Sequence, residues 1–178
     1  MPSNHSQIES PLRLTDQKLL AECEVHTYRA SGPGGQKRNK VESAVRICHK
    51  RTGVSAIAED SRSQLENRPL ALRRLREAIA IQVRSPIDPT NFEPPAEWST
   101  ALQTARPLRL NEKNPDYPIV IATALDALDA CAGRVSEAAQ LLGVSTHQLV
   151  HFLADHVRVW QGANRIRQRH GHKPLQSS

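Results

Sequence analysis

Aromatic residues are scarce in this chain: its 178 residues include only two Phe, two Tyr and two Trp. Any core must therefore be built from Leu, Ile, Val and Ala, which suits short helices packed on a small sheet. Cysteine is scarce too. Cys23, Cys48 and Cys131 are odd in number and lack Cys-x-x-Cys spacing, so neither a disulfide framework nor a zinc ribbon is readable and a reducing compartment fits. No stretch approaches the roughly 20 apolar residues of a membrane span. The first residues hold no apolar run of signal length, and Glu9 precedes the first arginine, Arg13. A cytoplasmic protein without a membrane partner is expected.

Charge is plentiful and unevenly spread. Residues 26–84 hold 13 cations and 5 anions, residues 85–156 hold 4 and 9, and residues 157–178 hold 5 cations and no anion. Two separated basic zones suit a polyanion, of which nucleic acid is the commonest; solvated surface charge is the plainer alternative.

The length suits one ordinary domain or two small ones, and two are expected. Thr15 before Asp16 predicts a short capped helix, and residues 23–30 predict a strand. In SAVRICHKRTGVSAIAE, apolar and polar residues alternate on both sides of 50–53, predicting a β-hairpin in which Gly53 supplies the unusual φ. Leu72, Leu75, Ile79 and Val83 recur at helical spacing, with Arg73, Arg74, Arg76 and Arg84 on other faces. Because Pro69 would clash inside a helix, this helix is predicted to begin near residue 68. The expected fold class is α+β, with residues 1–84 as the first domain. Seven of the twelve prolines lie between 85 and 118, predicting a linker with at most one short helix near 96–104. Residues 119–178 read as a second, helical domain.

Residues 31–40, SGPGGQKRNK, offer no nucleophile with a base beside it. Gln36 cannot titrate; it can only donate and accept hydrogen bonds through its amide and its backbone N–H. Gly34 and Gly35 lack Cβ atoms, so the backbone can take positive φ and come very close to another molecule. Such a loop can set N–H and amide groups against a reacting centre, provided a partner supplies the rest of the site. It is neither a Walker loop nor a Gly-x-Gly-x-x-Gly in a βαβ setting. A flexible surface loop is the alternative for these residues alone.

The flanking residues carry a resemblance. Gly34-Gly35-Gln36, Asn39-Lys40, Ser43 through Arg46, Thr52-Gly53, Arg62-Ser63-Gln64 and Asn67-Arg68 resemble, in type and spacing, the catalytic domain of class I peptide chain release factors and the small ribosome-rescue hydrolases related to them. The resemblance covers roughly residues 14–80. It implies hydrolysis of the ester joining a nascent peptide to P-site tRNA, in the ribosomal peptidyl transferase centre, with Gly34, Gly35 and Gln36 as the catalytic element and no cofactor. The ribosome, its large-subunit RNA and peptidyl-tRNA are the implied partners. Methylation of the glutamine is common in that family, so a glutamine methyltransferase acting on Gln36 is a further candidate partner. Lys37, Arg38 and Lys40 become phosphate contacts, and Arg46, Arg62 and Arg68 either brace the loop or touch RNA. Arg38 departs from the small apolar residue of many relatives. Full-length release factors carry a separate codon-reading domain that no segment here resembles, so codon-independent ribosome rescue is expected.

In the second half, VSEAAQLLGVSTHQLVHFL resembles a helix-turn-helix, with Gly143 at the turn and Ser145 as cap. No Lys or Arg lies between Val135 and Val157, which favours contact with protein or ribosome over reading DNA. His147, His151 and His156 lack a completing ligand at a recognisable spacing, so no metal is expected. The basic end predicts a helix with Trp160, Ala163 and Ile166 inside and Arg158, Arg165, Arg167 and Arg169 wet. Small rescue hydrolases use a basic C-terminal tail to sense an empty mRNA channel; Arg165, Arg167, Arg169 and Lys173 are the corresponding RNA-binding candidates. Two other readings remain at this point: a ribosome- or RNA-binding factor that keeps the fold without the activity, and a regulator that uses the helix-turn-helix on DNA.

Overall fold

Thr15 Oγ1 accepts the Lys18 N–H at 3.3 Å and caps helix α1 (Asp16–Ala21). Strand β1 (Cys23–Tyr28) follows directly, and the expected hairpin is formed by β2 (Ala44–His49) and β3 (Ser55–Ala58). The three strands make one antiparallel sheet in the order β1-β2-β3. Gly53, at φ +70°, occupies the left-handed region between β2 and β3 where a Cβ would be strained. His49 is fully buried; its Nε2–H donates to Glu22 Oε2 at 2.9 Å and its Nδ1 lies 2.8 Å from Thr52 Oγ1. One imidazole thereby ties the hairpin turn to the end of α1.

Helix α2 spans Gln64–Gln82 and contains Pro69, so it begins four residues before the expected start. Pro69, the sixth residue of the helix, has no N–H to give the carbonyl of Leu65, a residue that is 84 % exposed. Of the predicted apolar stripe Leu72, Leu75 and Ile79 are buried, while Val83 is half-buried and lies just beyond the end of the helix.

The structure is a computed structural model that describes residues 9–29, 42–104 and 108–176. The chain forms two units, 1–79 and 80–178. The second is helical: α3 (Ala96–Thr104), α4 (Tyr117–Ala130), α5 (Val135–Leu141), α6 (Thr146–Ala154) and α7 (Val157–Arg169). Helix α4 is apolar on nearly every side and is covered by α3, α5, α6 and α7. The Pro-rich stretch contributes directly to this core. Trp98 and Tyr117 are each 1 % exposed, and the Trp98 Nε1–H donates to Leu142 O at 3.0 Å. Helices α5 and α6 meet in the expected helix-turn-helix arrangement. Its second helix carries a full capping box, with the Gln148 N–H bonded to Ser145 Oγ at 3.1 Å and the Ser145 N–H to Gln148 Oε1 at 2.9 Å.

A mostly buried ion pair adds a pH dependence to this unit. Arg84 Nη1 lies 2.8 Å from Asp126 Oδ1, and the same oxygen accepts the Ser85 N–H at 3.1 Å. Burial outweighs the guanidinium's pull, so the Asp126 carboxyl is pushed up to about 6 from 3.8, while Arg84 is lowered by the same desolvation. Between those values the native state holds a proton that the unfolded chain has released, so this contribution to stability is lost as pH rises from about 4 to about 6. Asp126→Asn keeps the acceptor oxygen and removes the titration. The stability difference between wild type and variant, measured by urea unfolding, is expected to move against the wild type by on the order of 3 kcal/mol from pH 4 to pH 7.

Candidate functional site

Pairing of Tyr28 with Ala44 brings the two ends of the 29–43 connection together at one end of the sheet. Gly34, Gly35, Gln36, Lys37, Arg38 and Lys40 belong to that connection and lie outside the described residues. The stem behind them is described. Asn67, in the second turn of α2, is fully buried; its Nδ2 donates to Ser43 O at 2.7 Å and to Ser61 O at 2.8 Å, and its Oδ1 accepts the Ser61 N–H at 3.0 Å. A carboxamide supplies two donors and an acceptor in one plane, and all are used here.

The cations of unit 1 fall into two sets. Arg74 donates to both oxygens of Asp60, at 2.7 and 2.8 Å, and to Ile57 O at 3.0 Å. That fork holds the Asp60 carboxyl below its ordinary value and raises Arg74. Arg76 donates to Asp16 Oδ1 at 2.7 Å and to the carbonyls of Pro11, Leu12 and Leu14. Both guanidinium groups are committed to the fold. Arg46, Arg62, Arg68 and Arg73, by contrast, are exposed and make no hydrogen bond or ion pair among the described residues. Arg46 stands on β2 between His26 and Ile57 of the neighbouring strands; Arg62 precedes α2, and Arg68 and Arg73 are on it. Arg73 was not separable from Arg74 and Arg76 by sequence, since only the position of acidic partners distinguishes them.

The C-terminal cations are sorted in the same way, against expectation. Arg167 is half-buried rather than wet: its Nη1 donates to Gly133 O at 2.6 Å and its Nε to Lys173 O at 3.1 Å. Arg169 pairs with Asp129, which also accepts the His170 Nε2–H at 2.8 Å. Residues 170–175 fold back: the His172 N–H donates to Arg167 O at 2.9 Å, its Nε2–H to Ala132 O at 3.0 Å, and the Leu175 N–H to Asn164 Oδ1 at 2.7 Å. Arg165 and Lys173 are exposed, with no side-chain partner among the described residues. The fold-back depends on Gly133. At φ +77° a Cβ there would lie 3.0 Å from His172 Cδ2 and 3.2 Å from Arg167 Cα. Gly133→Ala is expected to cost about 2 kcal/mol or more, from backbone strain plus the clash with α7. Gly171→Ala, at φ +78° with nothing within 4 Å, carries the strain alone, about 1–2 kcal/mol. Urea unfolding of the two variants checks the order.

Of the candidate histidines, His156 Nδ1 lies 3.0 Å from Glu112 Oε1, His151 Nδ1 lies 3.7 Å from Asp155 Oδ1, beyond hydrogen-bond reach, and the rings of His147 and His151 are 6.3 Å apart. Among the described residues no helix is long and apolar enough to cross a membrane.

The sequence profile of the RF-1 domain family matches residues 17–111, more than half of the chain. The chain belongs to the RF-1 domain family. It is similar to peptide chain release factor 1 of Ureaplasma parvum, 54 % identical over 55 residues that make up 31 % of this chain and 15 % of that protein. The release factor of the same name from Malacoplasma penetrans is 50 % identical over 56 residues (32 % and 16 %), and that of Rubrobacter xylanophilus 48 % over 58 residues (33 % and 16 %). The chain thus spans about one sixth of the length of these relatives. The RF-1 domain match includes the Gly-Gly-Gln, Asn67, Arg46, Arg62, Arg68 and Arg73, and it runs on past α2 through α3.

Proposed function

We propose that this chain hydrolyses peptidyl-tRNA in the ribosomal peptidyl transferase centre, with Gly34, Gly35 and Gln36 as the catalytic element and without reading a codon. The observation that carries the reading is the Gly-Gly-Gln in the β1–β2 connection of an RF-1 domain. In the reaction, water attacks the ester carbonyl, the bond to the ribose oxygen breaks, and that oxygen leaves as the hydroxyl after taking a proton. Gln36 supplies neither proton nor nucleophile. Its backbone N–H and carboxamide orient the water and stabilise charge on the reacting oxygens, in a site otherwise made of RNA.

The unpaired cations support this placement. Among the described residues Arg46, Arg62, Arg68 and Arg73 have no anion paired with them, and phosphate is the partner that a ribosomal tunnel offers. In unit 2 the same reasoning leaves Arg165 and Lys173 as the RNA contacts, whereas Arg167 and Arg169 are engaged within the fold. The proposed place of action is the cytoplasm, and Gln36 is the proposed substrate of a glutamine methyltransferase.

The test is release of labelled peptide from ribosomes holding P-site peptidyl-tRNA, with the A site empty or carrying a sense or a stop codon. Equal release in all three states is expected. Release confined to the stop codon overturns codon independence. Binding without release makes the chain a ribosome-binding factor that keeps the fold alone.

A further inference from the structure

We infer that Asn67 is a positioning residue for the Gly-Gly-Gln segment, acting through the carbonyl of Ser43. The inference rests on the hydrolase reading above. The β1–β2 ladder ends at the Tyr28 and Ala44 pair, so Ser43 is the first residue beyond the ladder on the returning side. Ser43 is nonetheless 6 % exposed, and a buried carbonyl outside the ladder needs a donor. Asn67 provides it at 2.7 Å.

The donor itself is held. The second Nδ2–H and the Oδ1 are both bonded to Ser61, so the carboxamide cannot rotate without losing two bonds. The Asn67 backbone N–H is bonded to Ser63 O at 3.0 Å, which fixes the Cα in the first turns of α2. One side chain therefore joins the base of the 29–43 connection to the turn after β3 and to the longest helix of the chain. Fully satisfied buried networks of this kind specify one arrangement. For a loop that works by placing an amide against a reacting centre, a displacement of about 1 Å at the tip lowers the rate by about 10²-fold. The stem bond is where such a displacement is resisted.

Asn67→Ala, Asn67→Asp and the control Gly53→Ala separate positioning from simple stability. Single-turnover peptide release is measured against protein concentration, alongside thermal unfolding of each protein. Gly53→Ala strains the hairpin turn at φ +70° in open space and is expected to lower the unfolding midpoint by roughly 4–8 °C without changing release. Asn67→Ala is expected to lower the saturating release rate about tenfold or more while the half-saturating concentration stays within about twofold. Asn67→Asp keeps the shape but turns an acceptor toward two carbonyls; protonation restores one donor, so its release relative to wild type is expected to increase as pH falls. That ratio decides the matter if the Ala variant does not fold. Saturating release by the Asn67 variants equal to that of Gly53→Ala, or a flat pH ratio, overturns the inference. A wild type that releases nothing overturns the hydrolase reading and this inference with it, an outcome distinct from variants that release normally.

Discussion

Gly35→Ala is expected to leave ribosome binding intact and to reduce peptide release by roughly 10²- to 10³-fold, the effect of removing one preorganised donor from a charge-stabilising site. Adding a single methyl group gives this result for two reasons. A Cβ narrows the φ range open to residue 35 and stands between the backbone and whatever it must approach. The N–H of Gln36 then no longer reaches its place. Gln36→Ala removes the carboxamide but keeps the N–H, so its release is expected to fall less than that of Gly35→Ala. Both are read as single-turnover release at matched ribosome occupancy, so that a loss of binding is not counted as a loss of chemistry. Loss of binding in parallel with release would show that residues 34–36 hold the chain on the ribosome. Equal release by Gly35→Ala and wild type would remove the triplet from the mechanism.

Trp98→Ala is expected to destabilise unit 2 by roughly 3–5 kcal/mol, a large share of the 5–15 kcal/mol typical of a domain. Trp98 is fully enclosed, its ring edge meets Phe152 at a centroid distance of 5.9 Å, and its N–H is bonded to Leu142 O at the end of α5. Trp98→Phe keeps one aromatic ring, loses the part of the indole that carries the N–H and leaves that carbonyl without its donor, for about 1–3 kcal/mol from the lost bond. Urea unfolding followed by circular dichroism should rank wild type, Phe and Ala in that order. The experiment also bears on domain organisation. If residues 85–118 act only as a linker between domains at 1–84 and 119–178, Trp98→Ala leaves the unfolding of the helical part unchanged.

Each element that could be read along the chain depends on contacts between near neighbours. Thr15 caps α1, Ser145 and Gln148 close the capping box of α6, and Gly53 turns the hairpin because the partners lie within a few residues. The Gly-Gly-Gln is legible for a related reason: its chemistry depends on the absence of side chains and titratable groups in one short loop. One local rule failed. Pro69 was expected to delay α2, yet the helix starts earlier, at Gln64, and takes Pro69 as its sixth residue.

By itself, then, the sequence of this protein determined the α+β first half, the helical second half, the presence of a Gly-Gly-Gln in the β1–β2 connection and the two basic zones. Tertiary structure alone decided which cations are free. Arg73, Arg74 and Arg76 are equivalent along the chain, yet Arg74 meets Asp60 and Arg76 meets Asp16 and three carbonyls, leaving Arg73 exposed. Arg167 is held between Gly133 O and Lys173 O, while Arg165, two residues away, faces solvent. Likewise, Asn67 is legible in the sequence only as part of the Asn67-Arg68 motif, and its bond to Ser43 at the loop stem exists only because the fold brings residues 24 apart together. Charge and hydrogen-bonding capacity belong to the residue; whether they are already used depends on distances that only the folded chain sets.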